Sequence, residues 1–497
     1  MKKIFAISAL LLWCINIFSQ DVVEIGGKEA GLKDFPKLDG IRNVDGVWFK
    51  TNREDITREN RSVYHVERYD NDLKLRYSSK VDFPSEKEEV EGIYFLEKEI
   101  CLLSSLKDEN NLFLYLTLFD KETGRITAKK KEVYTLKKDP EVKARMWFDI
   151  ELSEDKSKLA VLTNLLPKKE SCKRNVIIFD LPSFKQSNQF DLPGSVDNIN
   201  IWVNIFYLSK DGQLYYSYSY DVKKDDPKAK SNTIVSLNMS TKASKSKVLD
   251  AGIRNIEVGY PKEFQKGNVL YYVGRFEESI SKKEKKTGLF CKTIDLSDIG
   301  KSDIVYEYYP ADIETKYSSR KVEFSEKNME VIATFTLADG YYVVQNYRYD
   351  VSTSGQNATY VKSYSKDYFV SKFNNSGKRE FIKVIPKFGA KSMYGEDILE
   401  HEGTLYFFYC DHPDNLDKYT LENFDSGEYK DVGDVRGPVP VCVKLSKDGK
   451  MERKTFERNE EWCYFPGYGL KSIKGDGIIV YRIKDQTYTL TEFRLKK

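Results

Sequence analysis

The stretch Glu151–Leu181, ELSEDKSKLAVLTNLLPKKESCKRNVIIFDL, alternates short apolar runs with polar, turn-forming residues. This pattern predicts a strand, a tight turn, a second strand, a charged loop and a third strand. Short runs rich in Val, Ile, Leu and Phe that are bounded by Asp, Ser and Lys are typical of β-strands. We therefore interpret Asp155 and Lys158 as turn residues and Leu159–Leu162 as part of a strand.

The same pattern returns along the chain in eight units. In each unit a turn carrying Asp, Gly, Lys or Glu precedes an apolar, β-rich run. The predicted second strands begin near residues 47, 100, 159, 214, 269, 341, 405 and 478. A third strand follows in each complete unit, and a second tight turn leads to a fourth strand. A period of about 60 residues filled with short strands is typical of repeated four-stranded sheets.

Radial repetition of such sheets predicts an all-β fold, a β-propeller, because this arrangement leaves only short sheet edges exposed. Eight blades are favoured, and a seven-bladed ring with one irregular insertion is the alternative. The last unit has room for three strands, near Leu470–Ile473, Ile478–Ile483 and Tyr488–Leu495. The N-terminal run Asp21–Ile25 would close the ring by pairing with this C-terminal blade. We expect one propeller domain over residues 20–497.

The first 19 residues have the composition of a signal peptide. Lys2 and Lys3 precede the apolar run Ile4–Phe18, and Ser19 supplies a small residue for cleavage. The run is shorter than the ~20 residues that a transmembrane anchor needs. A lipidation motif at Cys14 would require a small residue immediately before the cysteine, but that position is occupied by Trp13. We therefore expect an exported mature chain, periplasmic, cell-surface-associated or secreted, without a membrane span.

Charge and cysteine content narrow the functional classes further. The 80 basic and 77 acidic residues are interspersed and leave a net charge of +3, which argues against a nucleic-acid partner. Six cysteines follow the leader, and none has the spacing of a metal site. They are interpreted as scattered buried thiols, with one disulfide among Cys410, Cys442 and Cys463 as the alternative. The six are Cys101, Cys172, Cys291, Cys410, Cys442 and Cys463.

Three segments resemble a group of uncharacterised exported propeller-type proteins of Bacteroidetes. They are ADGYYVVQNYRYD with YFVSKFNNSGKREFIKVIPK, SVYHVERYDNDLKLRYSSKV, and PVCVKLSKDGKMERKTFE. The resemblance implies the fold and export but no activity. The stretch SEDKSKLAVLT also resembles the blade pattern of TolB-type propellers. It lacks the Pro and Gly of their Ser-Pro-Asp-Gly turn, so the functions of TolB are not implied.

The connections between second and third strands are expected to be long in every complete unit and to emerge on one face of the ring. Loops held by a rigid scaffold commonly carry function, so we interpret this face as a binding surface. The alternative is a set of solvated hairpin tips. The longest connection, Asp411–Pro438, begins CDHPDN, and Asp411, His412 and Asp414 offer groups that could bind a ligand. A proline-containing turn capped by Asp is the simpler interpretation, and no metal site or cofactor is assigned.

The run Leu214–Tyr220, LYYSYSY, alternates strictly between two faces. Tyr216, Tyr218 and Tyr220 share one face, where they could stack on sugar rings. Packing between neighbouring blades is the simpler role for such tyrosines, because their rings fill space while the hydroxyl stays at the wet edge.

Catalytic motifs are missing from the sequence. It contains neither GxSxG nor a phosphate-binding GxxxxGK[ST], and its three histidines are His65, His401 and His412. No catalytic residue is assigned. The leading hypothesis is a monomeric, non-catalytic binding or assembly module of the bacterial envelope with a protein or carbohydrate partner. A carbohydrate-active enzyme, a glycosidase or lyase with paired carboxylates, is the alternative. A partner docked to a membrane complex through an exposed aromatic patch is a third hypothesis.

Overall fold

The computed structural model describes the chain in segments that are almost entirely extended. The described residues are 22–25, 29–30, 41–44, 47–56, 61–70, 74–83, 85, 87–153, 155–168, 172–192, 201–209, 213–221, 230–249, 262–266, 268–279, 285–310, 329–354, 359–390, 396–422, 429–432, 438–456, 462–464, 477–484 and 487–495. The predicted signal peptide, residues 1–19, lies outside them. In the described part, no helix is long and apolar enough to cross a membrane.

The described strands assemble into eight antiparallel sheets, numbered here in chain order. Sheet 1 contains β3 (Ile41–Val44), β4 (Val47–Ile56), β5 (Arg61–Tyr69) and β6 (Leu75–Phe83), and sheet 2 contains β7 (Glu89–Phe95), β8 (Glu99–Lys107), β9 (Asn111–Asp120) and β10 (Ile126–Lys137). Sheet 3 contains β11 (Ala144–Leu152), β12 (Lys158–Pro167), β13 (Lys173–Asp180) and β14 (Lys185–Asp191), and sheet 4 contains β15 (Ile201–Leu208), β16 (Gln213–Asp221), β17 (Lys230–Asn238) and β18 (Ser244–Leu249). Sheet 5 contains β19 (Lys262–Lys266), β20 (Val269–Ser279), β21 (Lys285–Asp295) and β22 (Ser302–Tyr308), and sheet 6 contains β23 (Met329–Thr336), β24 (Gly340–Ser354), β25 (Thr359–Asn374) and β26 (Arg379–Ala390). Sheet 7 contains β27 (Glu396–His401), β28 (Thr404–Asp411), β29 (Val439–Leu445) and β30 (Met451–Thr455). Sheet 8 contains β31 (Trp462–Tyr464), β32 (Gly477–Lys484) and β33 (Thr487–Leu495) together with the N-terminal strands β1 (Val22–Ile25) and β2 (Glu29–Ala30).

Buried apolar side chains form a separate cluster between each pair of consecutive sheets, from sheets 1 and 2 through to sheets 6 and 7. The first strands of neighbouring sheets also lie against each other, as β7 does with β11 and β11 with β15. Successive antiparallel sheets that stack face to face, with their first strands together, are the architecture of a β-propeller. The predicted fold class is therefore confirmed.

The N-terminal and C-terminal strands meet in sheet 8. β1 runs antiparallel to β33, with Val22 opposite Leu495 and Ile25 opposite Glu492. This is the pairing that closure of the ring requires. The closed ring of eight blades stays a prediction, for which the eight sheets and this terminal pairing are the support.

The second strands begin within one residue of the predicted positions, at residues 47, 99, 158, 213, 269, 340, 404 and 477. The turns before and after them are held by side chains that bond to the local backbone. Asp155 Oδ1 accepts a hydrogen bond from the Ser157 amide at 3.0 Å, and Asp120 Oδ1 accepts one from the Thr123 amide at 2.8 Å. Such bonds favour the ionised carboxylate and lower the pKa of both groups. The interpretation of Asp155 as a turn residue is confirmed, whereas that of Lys158 is wrong, because Lys158 is the first residue of β12.

One prediction about strand limits is wrong and another falls outside the described residues. The strand expected near residues 470–473 lies outside them, and the first described strand of sheet 8 is Trp462–Tyr464. The expectation that the connections between second and third strands are long in every unit is wrong: β24 continues to Ser354 and β25 resumes at Thr359. Polar residues extend these hairpins because paired strands satisfy each other's backbone groups whatever their side chains.

Five cysteines have described side chains; all five are buried, and none of them forms a disulfide with another: Cys101, Cys172, Cys291, Cys410 and Cys442. In sheet 7, Cys442 lies opposite Phe408, and Cys410 lies opposite Pro440. A disulfide between Cys410 and Cys442 is therefore not formed. The Cys463 side chain lies outside the described residues.

Candidate functional site

The longest connection between described strands runs from β28 to β29, residues 411–438, and it begins at a buried carboxylate. Asp411 is the last residue of β28, and its side chain is fully buried. Its Oδ1 accepts hydrogen bonds from the His412 amide and from Asn415 Nδ2, both at 2.8 Å. Its Oδ2 has no hydrogen-bond partner. The carboxyl group therefore points into the protein and holds the start of the connection.

A short helix, α1 (Pro413–Lys418), follows directly. His412 is its N-cap, and His412 Nδ1 accepts a hydrogen bond from the Asp414 amide at 3.2 Å. Pro413 fits the first helical position because its missing N–H would have no partner there. The expectation of an aspartate cap is wrong: Asp411 faces the interior and the imidazole takes the capping role. Asp414 is exposed and forms an ion pair with Lys430.

Asn415 ties the two described arms of the connection together. Its Nδ2 donates to the Lys430 carbonyl at 2.9 Å, and its Oδ1 accepts from the Lys430 amide at 2.8 Å. The same Nδ2 also donates to Asp411. This asparagine is almost completely buried, so its hydrogen bonds are shielded from competing water.

The connection is also fixed to both neighbouring sheets. Arg453 of β30 donates to the carbonyls of Leu416 at 3.2 Å and of Tyr419 at 2.8 Å. The rings of Tyr419 and Tyr429 stack at 5.1 Å and pack against Phe388 of β26. Residues 411–422 and 429–432 are therefore held on sheets 6 and 7 by buried contacts. We call these residues the anchored segment.

Several ionisable groups lie beneath the anchored segment, between sheets 6 and 7. Burial raises the pKa of Asp411 to about 7, and the charge of Asp367 adds to this. Bonds from Asn415 and the His412 amide and the charge of Arg453 act in the opposite direction. Burial also holds the pKa of Lys387 well below its usual value. Burial therefore favours the neutral forms of both Asp411 and Lys387.

The three residues that the sequence singled out here do not converge on one point. Asp411 is turned inward, His412 Nδ1 is occupied by the helix cap, and Asp414 faces Lys430. Among the described residues, no group of three His, Cys, Asp or Glu side chains is placed to hold a metal ion.

The tyrosine run of β16 lies mainly in the interior where it is described. Tyr216 is 2% exposed and packs in the cluster between sheets 3 and 4. On the other face of the strand, Tyr215 donates its hydroxyl to the Leu296 carbonyl at 2.7 Å. The side chains of Tyr218 and Tyr220 lie outside the described residues. Tyr216 therefore fills a core and is not placed to stack on a surface ligand.

A second group of perturbed carboxyls lies on the first strands of sheets 2 and 3. Burial raises the pKa of Glu151 to about 7 and also raises those of Glu91 and Asp149. Asn164 Nδ2 donates to Asp149 at 2.8 Å, and Ser105 donates its hydroxyl to Glu91. The charge of Asp149 also raises the pKa of Glu91. No sequence motif marks this group, since three carboxyls among 77 acidic residues carry no local signature.

Exposed apolar surface is sparse in the described part of the chain. Large hydrophobic side chains are exposed there at Leu75 and Tyr308, which lie on different sheets. The aromatic docking patch that a membrane-complex partner would need is not found among the described residues.

No protein-family model and no curated protein matches this sequence. Among solved structures, the chain is similar to the WD40 domain of SCAP from fission yeast, with 7% identity over 96% of this chain and 98% of that chain and a TM-score of 0.39. It is also similar to the polysaccharide lyase Uly1, with 11% identity over 79% and 94% and a TM-score of 0.39. The β-propeller domain of the Trilobed protease from Pyrococcus furiosus gives 11% identity over 86% and 98% and a TM-score of 0.37. These likenesses are too distant to carry an argument about activity, substrate or partner.

Proposed function

We propose that this chain is an exported, non-catalytic binding or assembly module of the bacterial envelope, and that it engages its partner through the anchored segment. The supporting observation is that this segment, part of the longest connection between described strands, is held in place by buried hydrogen bonds. A loop that is ordered before binding loses less conformational entropy on binding. The leader pattern in residues 1–19 supports export, to the periplasm, the cell surface or the medium.

The exposed side chains of the anchored segment have both signs of charge. Asp414, Asp417, Lys418, Glu422 and Lys430 are exposed there. A mixed-charge surface with few apolar groups suits a polar partner, either a folded protein or a carbohydrate, and a lipid surface is disfavoured. Charge complementarity at such a surface mainly sets specificity and the rate of encounter.

The proposal predicts that charge removal on the anchored segment reduces capture of an envelope partner. The purified chain serves as bait for the native envelope, the captured component is identified, and its affinity is measured with purified material. We expect Asp414→Ala/Asp417→Ala/Lys418→Ala to weaken binding at least tenfold, or about 1.4 kcal/mol. None of these side chains is buried, so the fold should be retained.

The matched control removes three exposed charges at the opposite end of the sheets. Glu97 and Lys98 lie in the turn between the first and second strands of sheet 2, and Lys447 lies in the turn between the third and fourth strands of sheet 7. Glu97→Ala/Lys98→Ala/Lys447→Ala should bind as the wild type does. Equal binding by both triple variants, or no captured component with the wild type, would show that the proposal is wrong.

A carbohydrate-active enzyme is the second candidate, favoured by the raised pKa of Glu151. A carboxyl that is protonated near neutral pH can serve as a general acid, and Asp149 on the same strand and Glu91 on the first strand of sheet 2 are further carboxyls with raised pKa. This candidate predicts cleavage of an envelope polysaccharide, detected as new chain ends, with a loss of at least 100-fold in Glu151→Gln. The exposed control Glu97→Gln should keep full activity. Cleavage that survives Glu151→Gln would show that Glu151 is not the general acid. An inactive wild type would show that the chain is not an enzyme acting on the polysaccharides tested.

A further inference from the structure

The anchored segment is held through a chain of contacts that begins at a single buried carboxyl group. Asp411 Oδ1 holds Asn415, and Asn415 holds both backbone groups of Lys430. Loosening the Asp411 contact therefore loosens the junction between the two described arms. We propose that Asp411 is a proton-controlled latch: the segment stays closed on sheets 6 and 7 while this carboxyl is protonated, and opens when the proton is lost.

The geometry around Asp411 makes the ionised form costly in the closed segment. The Oδ2 atom has no hydrogen-bond donor, although the side chain is fully buried. The buried Asp367 of β25 adds charge of the same sign. Opening lets water solvate the ionised carboxylate and removes this cost.

The other ionisable groups around Asp411 are Lys387 of β26, Tyr409 of β28, Arg453 of β30 and Tyr429 of the segment itself. Burial raises the pKa of both tyrosines, so they stay neutral at physiological pH. Arg453 favours the ionised form of Asp411 and moderates the effect. Burial holds the pKa of Lys387 well below its usual value, so the closed segment disfavours the Lys387 proton; through this group the closed form is favoured as the pH rises, which is opposite in sign to the latch.

His412 and Asp414 affect the same segment in other ways. His412 Nδ1 accepts from the Asp414 amide, and protonation of this nitrogen at low pH would remove the acceptor and loosen α1. That effect has the opposite sign to the latch. The Asp414 carboxylate is exposed and pairs with Lys430, so its charge is solvated in either state.

The direction of the pH dependence follows from proton linkage. The closed segment has an Asp411 pKa of about 7, and an open, solvated carboxyl has the ordinary value near 3.8. The closed form therefore binds the proton more tightly and is favoured at low pH. Opening should rise about tenfold per pH unit between these two values and level off above about pH 7.

Hydrogen exchange of the Lys430 amide measures the latch directly, because its acceptor is Asn415 Oδ1. Exchange is followed from pH 5 to 8.5, corrected for the intrinsic rate at each pH. In the wild type we expect protection to fall about tenfold per pH unit up to about pH 7 and then to stay constant. Asp411→Asn keeps the Oδ1 acceptor and removes the charge, so its protection should not change with pH.

Glu422→Gln is the matched control, since it removes an exposed charge from the same segment, is not one of the groups that hold Lys430, and should keep the wild-type profile. Asp367→Asn provides an independent variant if Asp411→Asn does not fold: removal of the neighbouring charge should shift the transition to lower pH. Constant protection in the wild type, or an unchanged slope in Asp411→Asn, overturns the proposal. The experiment needs no partner, so its outcome is separate from that of the proposed function.

Discussion

Replacement of Phe407 by alanine is expected to lower the free energy of unfolding by about 3–5 kcal/mol. Phe407 is 0% exposed and lies in the core between sheets 6 and 7, where its ring centroid is 5.1 Å from that of Tyr368. Removing the ring loses its transfer free energy and leaves a cavity that rigid sheets on both sides cannot close. Urea unfolding followed by circular dichroism measures the difference.

Two further variants show whether the loss comes from the cavity. Phe407→Leu retains most of the volume and should cost no more than about 1.5 kcal/mol. Leu75→Ala removes an apolar side chain that is 52% exposed and should change stability by about 0.5 kcal/mol or less. A loss below about 1 kcal/mol in Phe407→Ala would mean that sheets 6 and 7 do not share a tightly packed core.

Lys130→Met is expected to destabilise the protein by about 3–5 kcal/mol at neutral pH, because it leaves a buried carboxylate without its cation. Glu88 is 0% exposed, with Oε2 at 2.8 Å from Lys130 Nζ and Oε1 accepting from Ser104 Oγ at 2.7 Å. Methionine keeps the length of the side chain and loses the ammonium group. Thermal unfolding of the variant beside the wild type gives the measurement.

The double variant Glu88→Gln/Lys130→Met separates charge from packing. A neutral amide at position 88 no longer needs a cation, so the double variant should recover a large part of the loss. If it is no more stable than Lys130→Met alone, the loss of the ion pair with Glu88 does not account for the destabilisation.

The second strands could be predicted from sequence because both of their signals are local. The turn Asp339-Gly340 marks where β24 begins, and the apolar run YYVV marks its buried part. The core clusters confirm this, since Tyr341 and Val343 face one neighbouring sheet and Tyr342 and Val344 face the other. Strands buried on both faces show continuous apolar runs, which polarity alone can locate.

The far ends of the same strands could not be predicted, because they depend on a partner strand and not on burial. In the tip of the β24–β25 hairpin, Asp350 lies opposite Ser363 and Ser354 lies opposite Thr359. These polar residues read as a loop, yet the two strands satisfy each other's backbone hydrogen bonds. Polarity therefore gives the limits of the core and underestimates the length of the ladder.

The sequence predicted where the candidate site lies, but it did not predict how the side chains of the site are oriented. CDHPDN marked the start of a long connection, but the pKa of Asp411 is raised mainly by its burial between sheets 6 and 7, and only secondarily by the charge of Asp367 on sheet 6. Arg453 and Asn415, which fix the segment, carry no motif. Glu151 also lies in no recognisable motif, and its raised pKa comes from burial that only the assembled sheets produce.

The pairing of β1 with β33 has a mechanical consequence. Because Val22 lies opposite Leu495, the chain enters and leaves this strand pair at the same end. A force that pulls the two termini apart therefore acts on the backbone hydrogen bonds of this strand pair one after another, starting at Val22 and Leu495. It does not shear all of these hydrogen bonds at the same time. Tension between two attachment points at the termini would separate this strand pair at low force, before any of the clusters between sheets is disturbed.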